Sequence, residues 1–177
     1  MHAFRWLFLS CVLMLGGCLQ SEERPFSTQA GDAVQAAGKY SCKNNTKIQW
    51  LIQLESNKQY QYVWIHEGDT SAVPITFHAT GSDGVYLASA ASANTPGEMF
   101  ALVKIKQSQV SFFLLLEEQY SGVQQLAAQY NVKVDTKNSW SFVRGALSDQ
   151  RLFLMALSHN ESLWTFMDKC VLASPTE

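Results

Sequence analysis

The chain predicts an α+β fold, a meandering antiparallel β-sheet of about six to seven strands followed by two helices packed on one face. Three observations carry this expectation. Apolar residues alternate with a period of two from Lys39 to Leu116, short turn clusters interrupt the alternation, and the last third changes to a helical period. At 177 residues, with 47% hydrophobic, 12% aromatic and 16% charged side chains, the chain can bury a core.

Ile48, Trp50, Ile52 and Leu54 alternate with Gln49, Leu51, Gln53 and Glu55, the pattern of a half-buried strand. Asn57-Lys58 makes a turn, after which Tyr60, Tyr62, Trp64 and His66 alternate with Gln61, Val63 and Ile65. Glu67-Gly68-Asp69 breaks that strand. Ile75, Phe77 and Ala79 alternate with Thr76, His78 and Thr80 as far as the turn Gly81-Ser82-Asp83-Gly84. Val85–Ala88 start another strand, ended by Asn94-Thr95-Pro96-Gly97. Met99–Lys106 and Val110–Leu116 read as a hairpin around Gln107-Ser108-Gln109, and the apolar run Phe112–Leu116 sets its second arm deep in the sheet.

Ser121 with Gln124 three residues on forms a capping box. Val123, Leu126, Ala127 and Tyr130 share one face of the helix it opens, and Asn131 suits its end. Val132–Val134 suit a return to strand. After Trp140–Val143 and Gly145, Ser148 caps a second helix over Asp149–His159, with Leu152, Phe153, Met155, Ala156 and Leu157 as its apolar side. Asn160 stops it in the left-handed conformation. Leu163–Val171 is apolar enough for a closing strand, which returns Cys170 beside the first strand.

Ahead of this domain, Met1–Arg5 are positively charged, Trp6–Leu15 are apolar apart from Ser10, and the run closes on Leu15-Gly16-Gly17-Cys18. That is the layout of a secretion signal. The apolar run is shorter than the roughly 20 residues that span a bilayer, and no A-x-A-like cut is present. Leu15–Cys18 resembles the lipobox of bacterial lipoproteins. The resemblance implies cleavage before Cys18, diacylation of its thiol, and a membrane partner held through that lipid anchor. Leu19 rather than Asp after the cysteine implies the outer membrane, facing the periplasm. The organisation expected is a signal peptide over residues 1–17, a lipidated N-terminus and flexible tether over 18–38, one domain over 39–172 and a tail over 173–177. Ser21, Glu22, Glu23, Arg24, Pro25 and their neighbours support the tether, about 25 Å long on average. A short helix over Asp32–Ala37, capped by Asp32, fits the same stretch.

Of four cysteines, Cys11 leaves with the signal and Cys18 takes the lipid, so the domain keeps Cys42 and Cys170. In an oxidising periplasm that pair predicts a disulfide between the two ends of the domain. Without Arg5, the 13 basic residues become 12 against 15 acidic ones, a net charge of −3. No basic patch offers a nucleic-acid footprint.

Chemistry is sparse. His66-Glu67 with Asp69 contains metal-ligand types, but without a His-Glu-x-x-His helix it reads as a strand end running into a charged turn. His78 falls on the polar face of its strand, and His159 near a helix C-terminus. Gly81-Ser82-Asp83-Gly84 lacks the nucleophile-elbow spacing. Glu117 and Glu118 are adjacent on a strand and point to opposite faces, so they do not flank one bond. No catalytic residue, cofactor or metal site is assigned.

Tyr60, Tyr62 and Trp64 line one face of a strand, which suits either a core or a surface that stacks on sugars or docks a protein. Tyr40-Ser41-Cys42 at the start of the domain and Ser82-Asp83-Gly84-Val85-Tyr86 in a later turn resemble the lipoprotein inhibitors of c-type lysozyme. In that family a Ser/Gly/Tyr turn enters the lysozyme cleft, and the resemblance implies Ser82 and Tyr86 as contacts. The function expected is that of an outer-membrane-anchored periplasmic lipoprotein with a non-enzymatic binding domain for an envelope protein or a peptidoglycan partner. A lysozyme-inhibitor-like protein is the alternative, and a hydrolase using His66 or His78 the second.

Overall fold

Period-two alternation lets each strand present one side to an interior and the other to whatever covers it, and here the strands close on themselves. The computed structural model of the chain describes residues 19–26, 31–34, 38–42, 48–54, 60–66, 69–91, 97–137 and 140–172. Among them lie β1 (Leu19–Ser21), β2 (Gly38–Cys42), β3 (Ile48–Leu54), β4 (Tyr60–His66), β5 (Asp69–Ala79), β6 (Val85–Ala91), β7 (Glu98–Lys106) and β8 (Gln109–Leu114). Then follow α1 (Tyr120–Ala128), β9 (Lys133–Lys137), β10 (Trp140–Arg144), α2 (Leu147–His159) and β11 (Thr165–Leu172).

From β2 to β8 each strand is antiparallel to the one before it. β11 enters between β8 and β2, antiparallel to both. The β6–β7 pairing joins what would otherwise be distant strands, so these eight form a closed ring. Closure removes edges, and eight strands leave an interior of the width that side chains can fill. One edge of β7 is shared: Leu102–Lys106 pair with β8, while Glu98–Phe100 pair with β1. β1 runs parallel to β10, which pairs with β9, and these three strands leave the ring as a flap.

Two apolar clusters follow from the alternation. Tyr40, Ile52, Tyr60, Ile75, Phe77, Val103 and Val110 meet inside the ring together with Cys42 and Cys170. Val85, Leu87, Phe100 and Leu102 point outward instead, and α1 and α2 cover them with Val123, Ala127, Phe153, Leu154 and Leu157. Trp164 Nε1 donates to the Leu157 carbonyl at 2.9 Å, fastening the end of α2 to the approach of β11. The expected disulfide is formed between Cys42 and Cys170, which face each other across β2 and β11.

Several expectations are corrected. The two helices do pack on one side of a mostly antiparallel sheet, but that sheet has more strands than the six to seven expected, and β9 and β10 separate the helices. β5 begins at Asp69 rather than near Ile75. Phe112, Phe113 and Leu114 are half-buried, because the barrel wall turns one ring inward and its neighbour outward. Ser121 does not cap α1: Gln119 Oε1 accepts the Leu116 N–H at 3.0 Å across a 3-10 turn that also contains Glu117 and Glu118. Ala146, not Ser148, stands at the N-cap of α2, and Asn160 is not left-handed, with φ −96° and ψ 77°. Asn131, at φ 54°, is.

The flexible tether is also corrected over its described residues. Leu19, Gln20 and Ser21 are all buried as a strand inside the sheet, and Pro25, Phe26, Gly31 and Val34 are buried further on. Residues 31–34 form no helix: Asp32 caps an open edge of β5 instead, its N–H donating to Phe77 O at 2.8 Å and its carboxylate accepting Ala79 N–H at 2.7 Å. The polar side chains are satisfied inside, since Ser21 Oγ donates to Gln150 Oε1 at 2.7 Å and Gln150 Nε2 to Gly145 O at 2.8 Å. Gly97 permits the close approach, because a Cβ there would overlap the Ser21 carbonyl.

Candidate functional site

The outward face of β5 and β6 is covered only in part by α2, and the N-terminal segment crosses what remains. His78 sits there near the end of β5, only 4% exposed. Phe26 causes this, its ring stacked on the imidazole at 4.2 Å and 26°. His78 Nε2 lies 3.2 Å from Ser89 Oγ on β6, which is equally buried. Burial pushes the imidazole down to about 4; the Asp32 carboxylate raises it and the Arg151 guanidinium lowers it, both by less. The ring is therefore neutral at pH 7. His78 does stand on the polar side of its strand's alternation, opposite Phe77, but Phe26 covers that side and the ring is buried rather than exposed.

Beside this pair a cleft of about 450 Å³ opens between the N-terminal segment and α2, lined by Phe26, Asp32, His78, Ala79, Arg151, Leu152 and Met155. Arg151 Nε donates to the Pro25 carbonyl at 2.9 Å, which fixes the guanidinium at the rim. Leu152, placed in the apolar side of its helix by periodicity, is instead 59% exposed. It and Met155 form a ridge whose far side is a second, shallower hollow of about 560 Å³, with Leu126, Tyr130, Ala156, His159 and Asn160. Beneath the Phe26 end lies Glu98, whose carboxylate accepts the Phe26 N–H at 3.5 Å. Burial raises the Glu98 carboxyl, while the Phe26 N–H and the Arg24 charge pull it partly back.

A serine, a histidine and an aspartate thus converge, but not as a relay. The Asp32 carboxylate bonds to Ala79 N–H rather than to the imidazole, and Ser89 is only 4% exposed, so its hydroxyl is not presented to the cleft as a nucleophile. Around the cleft itself, a cation, an anion and a neutral imidazole surround apolar carbon, the mixture of lining that ligand clefts commonly have.

The residues singled out from sequence are scattered. Of the two readings of the aromatic row, core holds for Tyr60 and the surface contact is corrected: it is 1% exposed, inside the ring, its hydroxyl bonded to Val34. Tyr62, Trp64 and His66 occupy the same strand, and their side chains lie outside the described residues, as does Cys18. Ser82 is exposed in its turn, whereas Tyr86 is half-buried with its ring 6.1 Å from Phe77 within the barrel cluster. Alternation along β6 turns Tyr86 toward the barrel cluster and leaves Ser82 at the surface. His159 is exposed at the end of α2. Cys42, Asp168 and Cys170 gather ligand-type atoms within 4.8 Å, yet both sulfurs are bonded to each other and offer no thiolate. Phe26, Asp32, Ser89 and Arg151 were missed. A large aromatic at Phe26, alone in a polar stretch, was the available signal.

Comparisons with protein-family models, with curated proteins and with solved structures give no match.

Proposed function

We propose that this chain is a lipid-anchored protein of the bacterial outer membrane, facing the periplasm, whose domain binds an envelope partner and does not transform it. The cleft beside His78 carries the binding part of this reading: its charged rim and apolar floor are open, while the hydroxyl–imidazole pair next to it is shut under Phe26. The lipobox-like Leu15–Cys18 supports the anchor. The first strand starts at Leu19, one peptide bond beyond Cys18, so an anchored domain would stand directly on the membrane surface without a spacer. The partner is an envelope protein or a peptidoglycan fragment reaching the ridge of Leu152.

A photoreactive residue in place of Leu152, irradiated in intact cells, tests the binding reading. A discrete adduct that weakens when Arg151→Gln is added supports it; the same yield from a probe at exposed Ser82 would remove it. Cys18→Ala tests the anchor. The variant should lose its acyl mass and leave the membrane fraction, and retention there would overturn that part.

A further inference from the structure

We infer that the cleft between α2 and the N-terminal segment is a site for a small monocarboxylate with an apolar tail, the carboxylate on Arg151 and the tail along Leu152 and Met155. This rests on reading the domain as a binding module. Arg151 forms no ion pair among the described residues, and its Nε bond to the Pro25 carbonyl holds the guanidinium plane at the rim. A guanidinium fixed in that way presents a fork that matches a carboxylate. Asp32 stands on the same cleft and is itself held by Ala79 N–H, so a second negative charge on the ligand would meet a fixed anion. The neutral His78 adds no competing positive charge. One carboxylate is therefore accepted and two are not.

The floor selects the rest of the ligand. Phe26, Leu152 and Met155 give apolar carbon directly beside the charge, and Leu152 and Met155 also border the second hollow, so a tail can pass over the ridge toward Leu126 and Tyr130. The chain as a whole is acidic, so general attraction for anions does not explain such binding. Two sources share this chemistry: a fatty acid and the C-terminal residue of a peptide.

The test uses the processed, full-length protein in nanodiscs, with empty nanodiscs as the partition control. Carboxyl-¹³C octanoate is the fatty-acid probe, and carboxyl-¹³C N-acetyl-phenylalanine is the peptide-end probe. Saturable binding of one probe per protein is expected, and the tighter of the two identifies the source. Arg151→Gln should weaken it by about tenfold or more. Because Arg151 also holds Pro25, Leu152→Asp is the second variant: an exposed position, unchanged folding, and a carboxylate that repels the probe at the ridge. Absence of saturation by both probes, or equal affinity in Leu152→Asp, would overturn the inference. An adduct from the Leu152 photoprobe together with no carboxylate binding would sink this inference alone and leave the binding module standing.

Discussion

The Tyr60 hydroxyl holds both backbone groups of Val34, accepting from its N–H at 2.7 Å and donating to its carbonyl at 2.9 Å. One buried side chain thereby satisfies a complete peptide position of the segment that leads into β2. Tyr60→Phe keeps the ring and its edge contact with Phe77 but leaves two buried backbone groups without a partner. A loss of about 2–4 kcal/mol is expected in urea unfolding, with the far-UV spectrum unchanged. A loss under about 0.5 kcal/mol would mean that water replaces the hydroxyl.

The disulfide closes a loop with a sequence separation of 128 between β2 and β11. Reduction, or Cys42→Ser with Cys170→Ser, should lower stability by roughly 4–5 kcal/mol on chain-entropy grounds. The measurement is the urea midpoint with and without reductant. The doubly substituted protein should show no response to reductant.

Acid should weaken the fold through His78. Its folded value is about 4 against an ordinary 6.5, so between these two pH values the unfolded chain binds a proton that the folded chain refuses. Stability is therefore present above pH 6.5 and falls as pH drops toward 4, by on the order of 3 kcal/mol in full. Glu98 has the opposite sign: burial raises its carboxyl, so its contribution is present in acid and is lost as pH rises through the folded value. His78→Gln isolates the first effect. Its stability should vary less than that of the parent between pH 6.5 and 4, and an identical slope would assign the acid response elsewhere.

Gly97→Ala should detach β1 from β7. The added methyl would overlap the Ser21 carbonyl and crowd the Glu22 Cα, both of them backbone that no rotamer change can clear. A cost of about 2 kcal/mol or more is expected, with faster amide exchange across Leu19–Ser21 than in the ring strands. Uniform loss of protection would indicate that flap and ring open together.

Much of the ring was legible. Alternation in Tyr60–His66 and the turns at Gly81–Gly84 and Gln107-Ser108-Gln109 locate β4 and β6 to β8, because a strand with one covered face must show period two, whereas Ile75–Ala79 marks only the second half of β5. The Cys42–Cys170 pairing followed from these being the two cysteines left to the domain once Cys11 and Cys18 are assigned to the signal and the lipid. The closure between β6 and β7 was not legible, since a hairpin within a meander reads the same in an open sheet and in a barrel. β1 was hidden for another reason. Gln20 and Ser21 look like solvent residues, and the acceptor that takes the buried Ser21 hydroxyl proton, Gln150 Oε1, lies 129 positions away. The cleft inherits that blindness: Phe26, Asp32, His78 and Arg151 come from three separate regions, and no local spacing links them.

β1 also sets an order of assembly. Leu19 pairs with Ser141, and Cys42 with Cys170, so the earliest residues of the domain wait for the latest. While the chain emerges from N- to C-terminus, β2 and β8 keep open edges until β11 inserts between them. The ring shuts only after nearly all of the chain is available, and a chain ending before Thr165 would keep those two edges exposed to any neighbour with a strand to offer.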